Sequence, residues 1–179
     1  GKQIIEWVDI DEEARRDWKT RYDEHLKLAS QVRENKTFPW PNAANVKFPL
    51  IQIAGLQFHA RAYPALVPSR DIVIIKHNGF DILGFKRRRA ERVSHYMNYQ
   101  ILQQMEDWEE HMDRLLITLP LTGTEFKKTY YDTRLKRMVS RHVLSKDFIV
   151  DYWTKSLDTA FRMTEVLELS DNEIHSRIA

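Results

Sequence analysis

Hydrophobic residues near the start of the chain repeat at helical spacing. Ala14, Trp18, Tyr22, Leu26 and Ala29 recur at intervals of three or four, which places them on one face of an α-helix. An aspartate, at position 9 or 11, is expected to cap this helix. The proline-bearing segment 38–41 ends the pattern.

A second predicted helix follows, and it is apolar around most of its circumference. The stretch 50–63 contains few polar residues, so we expect the helix at 48–63 to be covered on most sides and to form part of the core. Asn42 or Asn45 is expected to cap it, and Pro64 and Pro68 to end it.

The longest predicted element is a single helix over about 86–119. Its apolar residues between Val93 and Leu119 advance by three or four throughout, and they are expected to supply the other half of the core. At 1.5 Å per residue such a helix spans about 50 Å. Pro120 and Gly123 are expected to close it.

The remaining segments have the patterns of strands. Alternating or β-branched runs predict strands at 71–77, 126–131, 135–144, 148–153 and 164–169. The turn 78–79 follows the first, 132–134 joins a hairpin, and Ser170 to Glu173 resembles a helix start. The chain is therefore predicted to be one α+β segment over 1–179, with long amphipathic helices packed on a small, mostly antiparallel sheet.

Composition excludes several classes of function. The 179 residues include no cysteine and five glycines, so disulfides, thiolate metal sites and a glycine-rich phosphate loop are excluded. The seven histidines have no metal-ligand spacing. His59, on an apolar helix, is expected to be a satisfied core residue. No apolar run is long enough to span a bilayer, and the first six residues do not have the pattern expected of a signal peptide. We expect no catalysis, no cofactor, no metal and no membrane partner.

Charges are distributed unusually along the predicted long helix. Its start is basic and its second half is acidic, so both groups oppose the helix macrodipole. Three explanations account for this pattern: a head-to-tail contact between subunits of a ring, binding to DNA phosphates, and simple solubility. The candidate inter-subunit contacts are Arg87, Arg88, Arg89, Arg92, Glu106, Glu109 and Glu110.

A second basic cluster lies on the predicted hairpin, within 134–146. Together with the cluster at 86–92 it makes a sequence-independent nucleic-acid-binding module the alternative function. A third interpretation is a metal-dependent hydrolase built on the acidic helix, with Glu106 as its test residue.

Several stretches of the sequence are similar to the N-terminal half of portal proteins from short-tailed bacteriophages. The resemblance is carried by FPWPNAANVKFPL at 38–50, GLQFHARAYPAL at 55–66, RAERVSHYMNYQILQQMEDWEEHMDRLLITLPLTGTEFKKTYYD at 89–132, and DFIVDYW and TEVLELSDNEI within 147–174. It covers nearly the whole chain from about residue 10.

The resemblance implies a structural role and no enzymatic activity. Portal proteins form dodecameric rings at one capsid vertex, and double-stranded DNA passes through the ring during terminase-driven packaging and at ejection. The ring also nucleates head assembly with capsid and scaffolding proteins and receives tail adaptor proteins. The resemblance further implies that the chain is the N-terminal, wing part of a larger protein, found in the virion and, during assembly, in the host cytoplasm. It assigns no DNA-contacting residue.

Overall fold

A computed structural model describes residues 2–32, 37–41, 43 and 48–178. Within them the chain forms six α-helices and two antiparallel two-stranded sheets, which confirms the predicted α+β class. The helices are α1 Lys2–Ala14, α2 Arg16–Ala29, α3 Leu50–Leu66, α4 Phe85–Tyr99, α5 Trp108–Thr122 and α6 Asp171–Ile178. The strands are β1 Phe126–Asp132, β2 Arg137–Val143, β3 Phe148–Val150 and β4 Met163–Glu165.

The first helix begins earlier than predicted and is interrupted. Asp9 and Asp11 lie inside α1, so the prediction that one of them caps the helix was wrong. The interruption falls at Arg15, whose buried guanidinium donates hydrogen bonds to backbone carbonyls of the β2–β3 loop and β3. The break between α1 and α2 thus coincides with side-chain contacts to residues about 130 positions away.

Helix α3 packs against α5 along a single face. Gly55 lies at this contact, where a Cβ would be 3.5 Å from Cδ2 of Leu121, an ordinary van der Waals distance. The opposite face is open, with Leu50 66% and Leu56 57% exposed, so the prediction that 48–63 is covered on most sides was wrong: none of the described residues covers that face. The helix also continues past Pro64 and ends at Leu66; Asn42 and Asn45 lie outside the described residues.

The predicted long helix is two helices. A π-turn at Gln100–Gln104 ends α4, and the N–H of Met105 donates to the carbonyl of Gln100 over 2.9 Å. The side chain of Arg137 donates to the carbonyl of Gln104 at 3.0 Å, which satisfies an acceptor freed by the break. Helix α5 runs through Pro120 and ends before Gly123, which adopts a left-handed φ of 82°.

Residues 71–77 do not form the predicted strand: they have no strand partner in the described part of the chain, and Asp71 has a left-handed φ of 51°. Side chains of α4 take the place of a neighbouring strand at Val73. Its N–H donates to Oδ1 of Asn98 at 2.8 Å, and its carbonyl accepts from Nδ2 of Asn98 and Oγ of Ser94. The strand prediction was therefore wrong: at Val73, side chains of α4 make the hydrogen bonds that a neighbouring strand would make.

The predicted hairpin is confirmed. Strands β1 and β2 pair from Phe126 with Val143 to Asp132 with Arg137, and Oδ1 of Asp132 accepts from two N–H groups of the turn. Strands β3 and β4 are shorter than predicted and form a separate sheet. The carboxylate of Glu173 accepts from the N–H of Ser170, as expected for the start of α6.

The core is small for the length of the chain. Its buried members include Tyr22, Leu116, Val139 and Ile149, of which Leu116 and Ile149 are fully buried; they lie where α2, α5 and the strands meet. The total accessible surface is 14400 Å². A compact monomer of 21.4 kDa is expected to expose about 9,100 Å², so the chain exposes roughly 5,300 Å² more. Among the described helices none is both long and apolar enough to cross a membrane.

Candidate interaction surfaces

The basic cluster lies at the start of α4, where Asp81 supplies a local negative charge. Oδ2 of Asp81 accepts from the N–H of Arg87 at 2.9 Å, and this bond lowers the pKa of Asp81. The carboxylate thus stabilises the positive end of the helix dipole that the arginines oppose. All the cationic side chains of the cluster are exposed: Lys86, Arg87, Arg88, Arg89 and Arg92.

Only part of the basic cluster is engaged within the chain. Nε of Arg87 lies 3.7 Å from Oε1 of Glu91, and Arg88 donates to the carbonyl of Leu83 at 3.0 Å. The side chains of Lys86, Arg89 and Arg92 form no ion pair or hydrogen bond with other described residues. This end of α4 therefore presents three uncompensated positive charges to its surroundings.

The acidic candidates have partners inside the chain. Nη1 of Arg137 lies 3.0 Å from Oε2 of Glu106, Glu109 accepts from the hydroxyl of Tyr63, and Glu110 pairs with Arg114. The hydrogen bond to Glu109 raises the pKa of Tyr63 to about 12.

Two of these acidic residues are also well placed on their helix. Because α5 begins at Trp108, Glu109 and Glu110 lie in its first turn, where negative charge is favourable. The expectation that the acidic group opposes the dipole was therefore wrong, since it assumed one continuous helix. No described contact joins these acidic residues to the basic cluster of α4.

The residues of the second basic cluster lie in different environments. Arg137 pairs with Glu106, and Nε2 of His142 lies 2.9 Å from Oε2 of the buried Glu125. Arg134 and Lys146 are exposed. The hairpin therefore does not present one continuous basic face.

Buried polar groups that sequence patterns did not indicate hold distant segments together. Asp11, which is 4% exposed, accepts two hydrogen bonds from Arg162, at 2.7 and 3.1 Å. This pair ties α1 to the segment that leads into β4. No local signal predicts it, because its members are 151 positions apart.

The interface between α5 and the hairpin contains two basic groups without hydrogen bonds. Nζ of Lys127 is buried 4.5 Å from the ring centre of Trp108, and burial lowers its pKa to about 8. Nδ1 of His111 is also buried and makes no hydrogen bond to the described residues. The pKa of His111 is lowered mainly by its burial and, to a smaller extent, by the positive charge of Arg114.

The described residues contain no group of three or more histidine or acidic side chains positioned to hold a metal ion. His59, which we expected to be satisfied, lies 2.7 Å from Asp113. Glu106, the test residue of the hydrolase interpretation, is bound to Arg137.

Comparisons with known proteins do not assign the chain to a family. No family model matches the sequence, and no curated protein matches it either. The similarity to phage portal proteins therefore rests on the sequence segments quoted above.

Proposed function

We propose that the chain is a wing segment of a portal protein from a short-tailed bacteriophage. In this role it forms part of a ring at a capsid vertex, through which double-stranded DNA is packaged and ejected. Its partners are other copies of the same protein, terminase, capsid and scaffolding proteins and tail adaptors. It performs no catalysis and needs no cofactor. The sequence segments at 38–66, 89–132 and 147–174 motivate the proposal.

The large exposed surface is the structural observation that most strongly supports the proposal. The roughly 5,300 Å² in excess of a compact monomer compares with about 800 Å² that each partner buries in a standard interface. A ring subunit has two such surfaces, one for each neighbour. Large apolar side chains contribute to the excess: Ile4, Trp40, Leu50, Leu56, Phe80, Ile82, Phe85, Trp153 and Phe161.

Electron microscopy of the complete gene product tests the proposal, because a portal appears as a ring with a central hole. Leu56→Glu, which places a charge on the open face of α3, is expected to reduce the fraction of rings. The neighbouring Gln57→Glu is the matched control, since it adds the same charge without removing an apolar side chain. A complete gene product that stays monomeric under all conditions contradicts the proposal.

A sequence-independent nucleic-acid-binding module is the second candidate. It is favoured by the three uncompensated cations of α4, because unpaired lysine and arginine neutralise phosphates. Binding of duplex DNA by the 179-residue chain is then expected to weaken steeply with salt, and Arg89→Gln with Arg92→Gln to reduce the slope by about 2. Arg21→Gln, on α2, is the control. Salt-independent binding, or none, refutes this function.

A further inference from the structure

Helix α4 is held to the preceding segment of the chain along one face. Ala90 and Asn98 are buried, and the side chains of Ser94 and Asn98 both donate to the carbonyl of Val73. Ala90, Ser94 and Asn98 recur every four positions, so they lie on the same side of the helix. Residues half a turn away from them therefore lie on the opposite side.

Aromatic and cationic side chains share that opposite side. They follow one another at intervals of four, three, four and three residues, and they form what we call the aromatic–cationic stripe: Phe85, Arg89, Arg92, Tyr96 and Tyr99. Phe85 is 64%, Tyr96 56% and Tyr99 49% exposed, and both arginines are exposed. The stripe extends along about 21 Å of helix. Three exposed rings on the outer face of a helix are unusual, because such faces normally carry polar residues.

The outer part of the stripe is not engaged within the chain. The side chains of Arg89 and Arg92 have no partner among the described residues. Neither Tyr96 nor Tyr99 has a ring contact with a described aromatic or cationic side chain. The hydroxyl of Tyr96 accepts from Nε2 of Gln100 at 3.3 Å, which leaves the faces of its ring free.

The charge around the stripe is positive. The sequence of α4 contains five lysine or arginine residues and a single carboxylate, that of Glu91, whose Oε1 lies 3.7 Å from Nε of Arg87. At the start of the stripe the guanidinium of Arg88 lies 5.4 Å from the ring centre of Phe85. Its second half borders a shallow depression lined by Glu91, Arg92, His95, Tyr96 and Tyr99. The stripe therefore suits a ligand that is both anionic and aromatic.

A single-stranded nucleic acid has both properties. Its phosphates attract lysine and arginine, and its unpaired bases stack on exposed aromatic rings. In a duplex the bases are already stacked on one another, so the tyrosines would gain little from it. A second copy of the chain fits less well, because the acidic candidates of α5 already have partners within the chain.

We propose that the aromatic–cationic stripe binds single-stranded nucleic acid. Bases stack on Tyr96 and Tyr99, and the guanidinium groups of Arg89 and Arg92 contact the phosphates. The inference rests on the nucleic-acid-binding function considered second above; it adds the kind of strand and the residues that contact its bases. DNA and RNA offer the same chemistry, since they share phosphates and bases.

Fluorescence anisotropy of short fluorescein-labelled oligonucleotides, titrated with the 179-residue chain, tests the proposal. Oligothymidylate is expected to bind more tightly than a duplex of the same length. Tyr96→Leu and Tyr99→Leu each remove a ring but keep an apolar, helix-forming side chain, and each should weaken the binding of oligothymidylate about ten-fold. Tyr96→Phe keeps the ring and should bind like the unmodified chain. Tyr131→Leu is the matched control, because Tyr131 is also 56% exposed but lies on β1.

An abasic strand tests the role of the bases without any substitution. It carries the same phosphates, so it is expected to bind about a hundred-fold more weakly than oligothymidylate, which corresponds to the loss of both stacking contacts. Oligouridylate separates the two sources of the strand: tighter binding than oligothymidylate identifies RNA, weaker binding identifies DNA, and either result supports the site. Far-UV circular dichroism verifies that the variants keep the helix content of the unmodified chain.

The proposal is overturned if the abasic strand binds as tightly as oligothymidylate, or if Tyr96→Leu and Tyr99→Leu bind like Tyr131→Leu. Duplex binding that still depends on Arg89 and Arg92 would then leave the broader nucleic-acid-binding function standing. If no oligonucleotide binds, both are overturned. Sedimentation velocity adds one further outcome: if Tyr96→Leu reduces self-association and leaves oligonucleotide binding unchanged, the stripe is a contact between copies and the proposal is wrong.

Discussion

Glu125 offers the sharpest test of how the strands are held to α5. Its side chain is fully buried. Oε1 accepts from the hydroxyl of Thr122 at 2.8 Å, and Oε2 meets Nε2 of His142 at 2.9 Å and the N–H of Ser145 at 3.2 Å. One carboxylate thus joins the end of α5, the hairpin and the β2–β3 loop.

Removing this carboxylate leaves its partners without an acceptor. A buried donor left unsatisfied costs about 1–3 kcal/mol, and Glu125→Ala removes the acceptor of three of them, so we expect it to lower the free energy of unfolding by about 3–5 kcal/mol. Glu125→Gln keeps the shape and one carbonyl oxygen. Because it forfeits a single charge-assisted acceptor, we expect it to cost about 1.5–3 kcal/mol.

Urea unfolding followed by tryptophan fluorescence and far-UV circular dichroism measures both losses. Glu168→Ala is the matched control, because Glu168 is exposed and has no described partner, and its effect should stay within about 0.5 kcal/mol. If the alanine variant does not fold, the glutamine variant still tests the order of the effects. The reasoning is refuted if Glu125→Ala unfolds at the same urea concentration as the control.

Three further predictions concern other charged groups. The pKa of Lys127, about 8 when folded, lies below its ordinary 10.5, so the unfolded chain binds more protons between these values and stability rises with pH there. Lys127→Met should abolish this rise. Allowing for the partial exposure of Lys127, it should also increase the free energy of unfolding by about 1 kcal/mol at neutral pH. Urea unfolding between pH 7 and 10.5 measures both effects, and an unchanged dependence of stability on pH contradicts the lowered pKa of Lys127. Arg162→Met should lower the urea concentration at which the chain unfolds, because Asp11 stays buried without its partner; an unchanged unfolding midpoint would show that the pair is not needed. Replacing both Arg88 and Arg89 by glutamate should weaken assembly of the full-length protein more than it destabilises this segment. Native mass spectrometry measures the oligomers, and an unchanged oligomeric state would show that these arginines do not form an inter-subunit contact.

The elements predicted correctly from sequence are those with local determinants. The turn of the hairpin is fixed by Asp132, whose carboxylate accepts from N–H groups two and three positions later. The start of α6 depends on Ser170 and Glu173, three positions apart. In both cases the interacting groups lie within one turn of each other, so the sequence pattern contains the whole interaction.

Other boundaries were wrong because distant residues decide them. The apolar spacing continues through Met97, Ile101 and Met105, although the helix is broken between them, and Arg137 satisfies the freed carbonyl from 33 positions away. The break between α1 and α2 likewise falls at Arg15, whose side chain binds carbonyls of the β2–β3 loop. Periodicity reports which side of a segment is buried; it does not report which backbone groups a distant side chain will bind.

The break in the long helix changes the argument about charge. Glu109 and Glu110 lie at the positive end of α5 and have partners within the chain, so their positions follow from this fold alone. The basic cluster has no such explanation, because Lys86 and Arg89 lie near the positive end of α4, Arg92 lies in its middle, and the side chains of all three have no partner among the described residues. Substitutions in the basic cluster of α4 therefore distinguish the two functions. If reversing these charges reduces the fraction of rings, the cluster forms a subunit contact. If removing them makes DNA binding less dependent on salt concentration, the cluster binds phosphates.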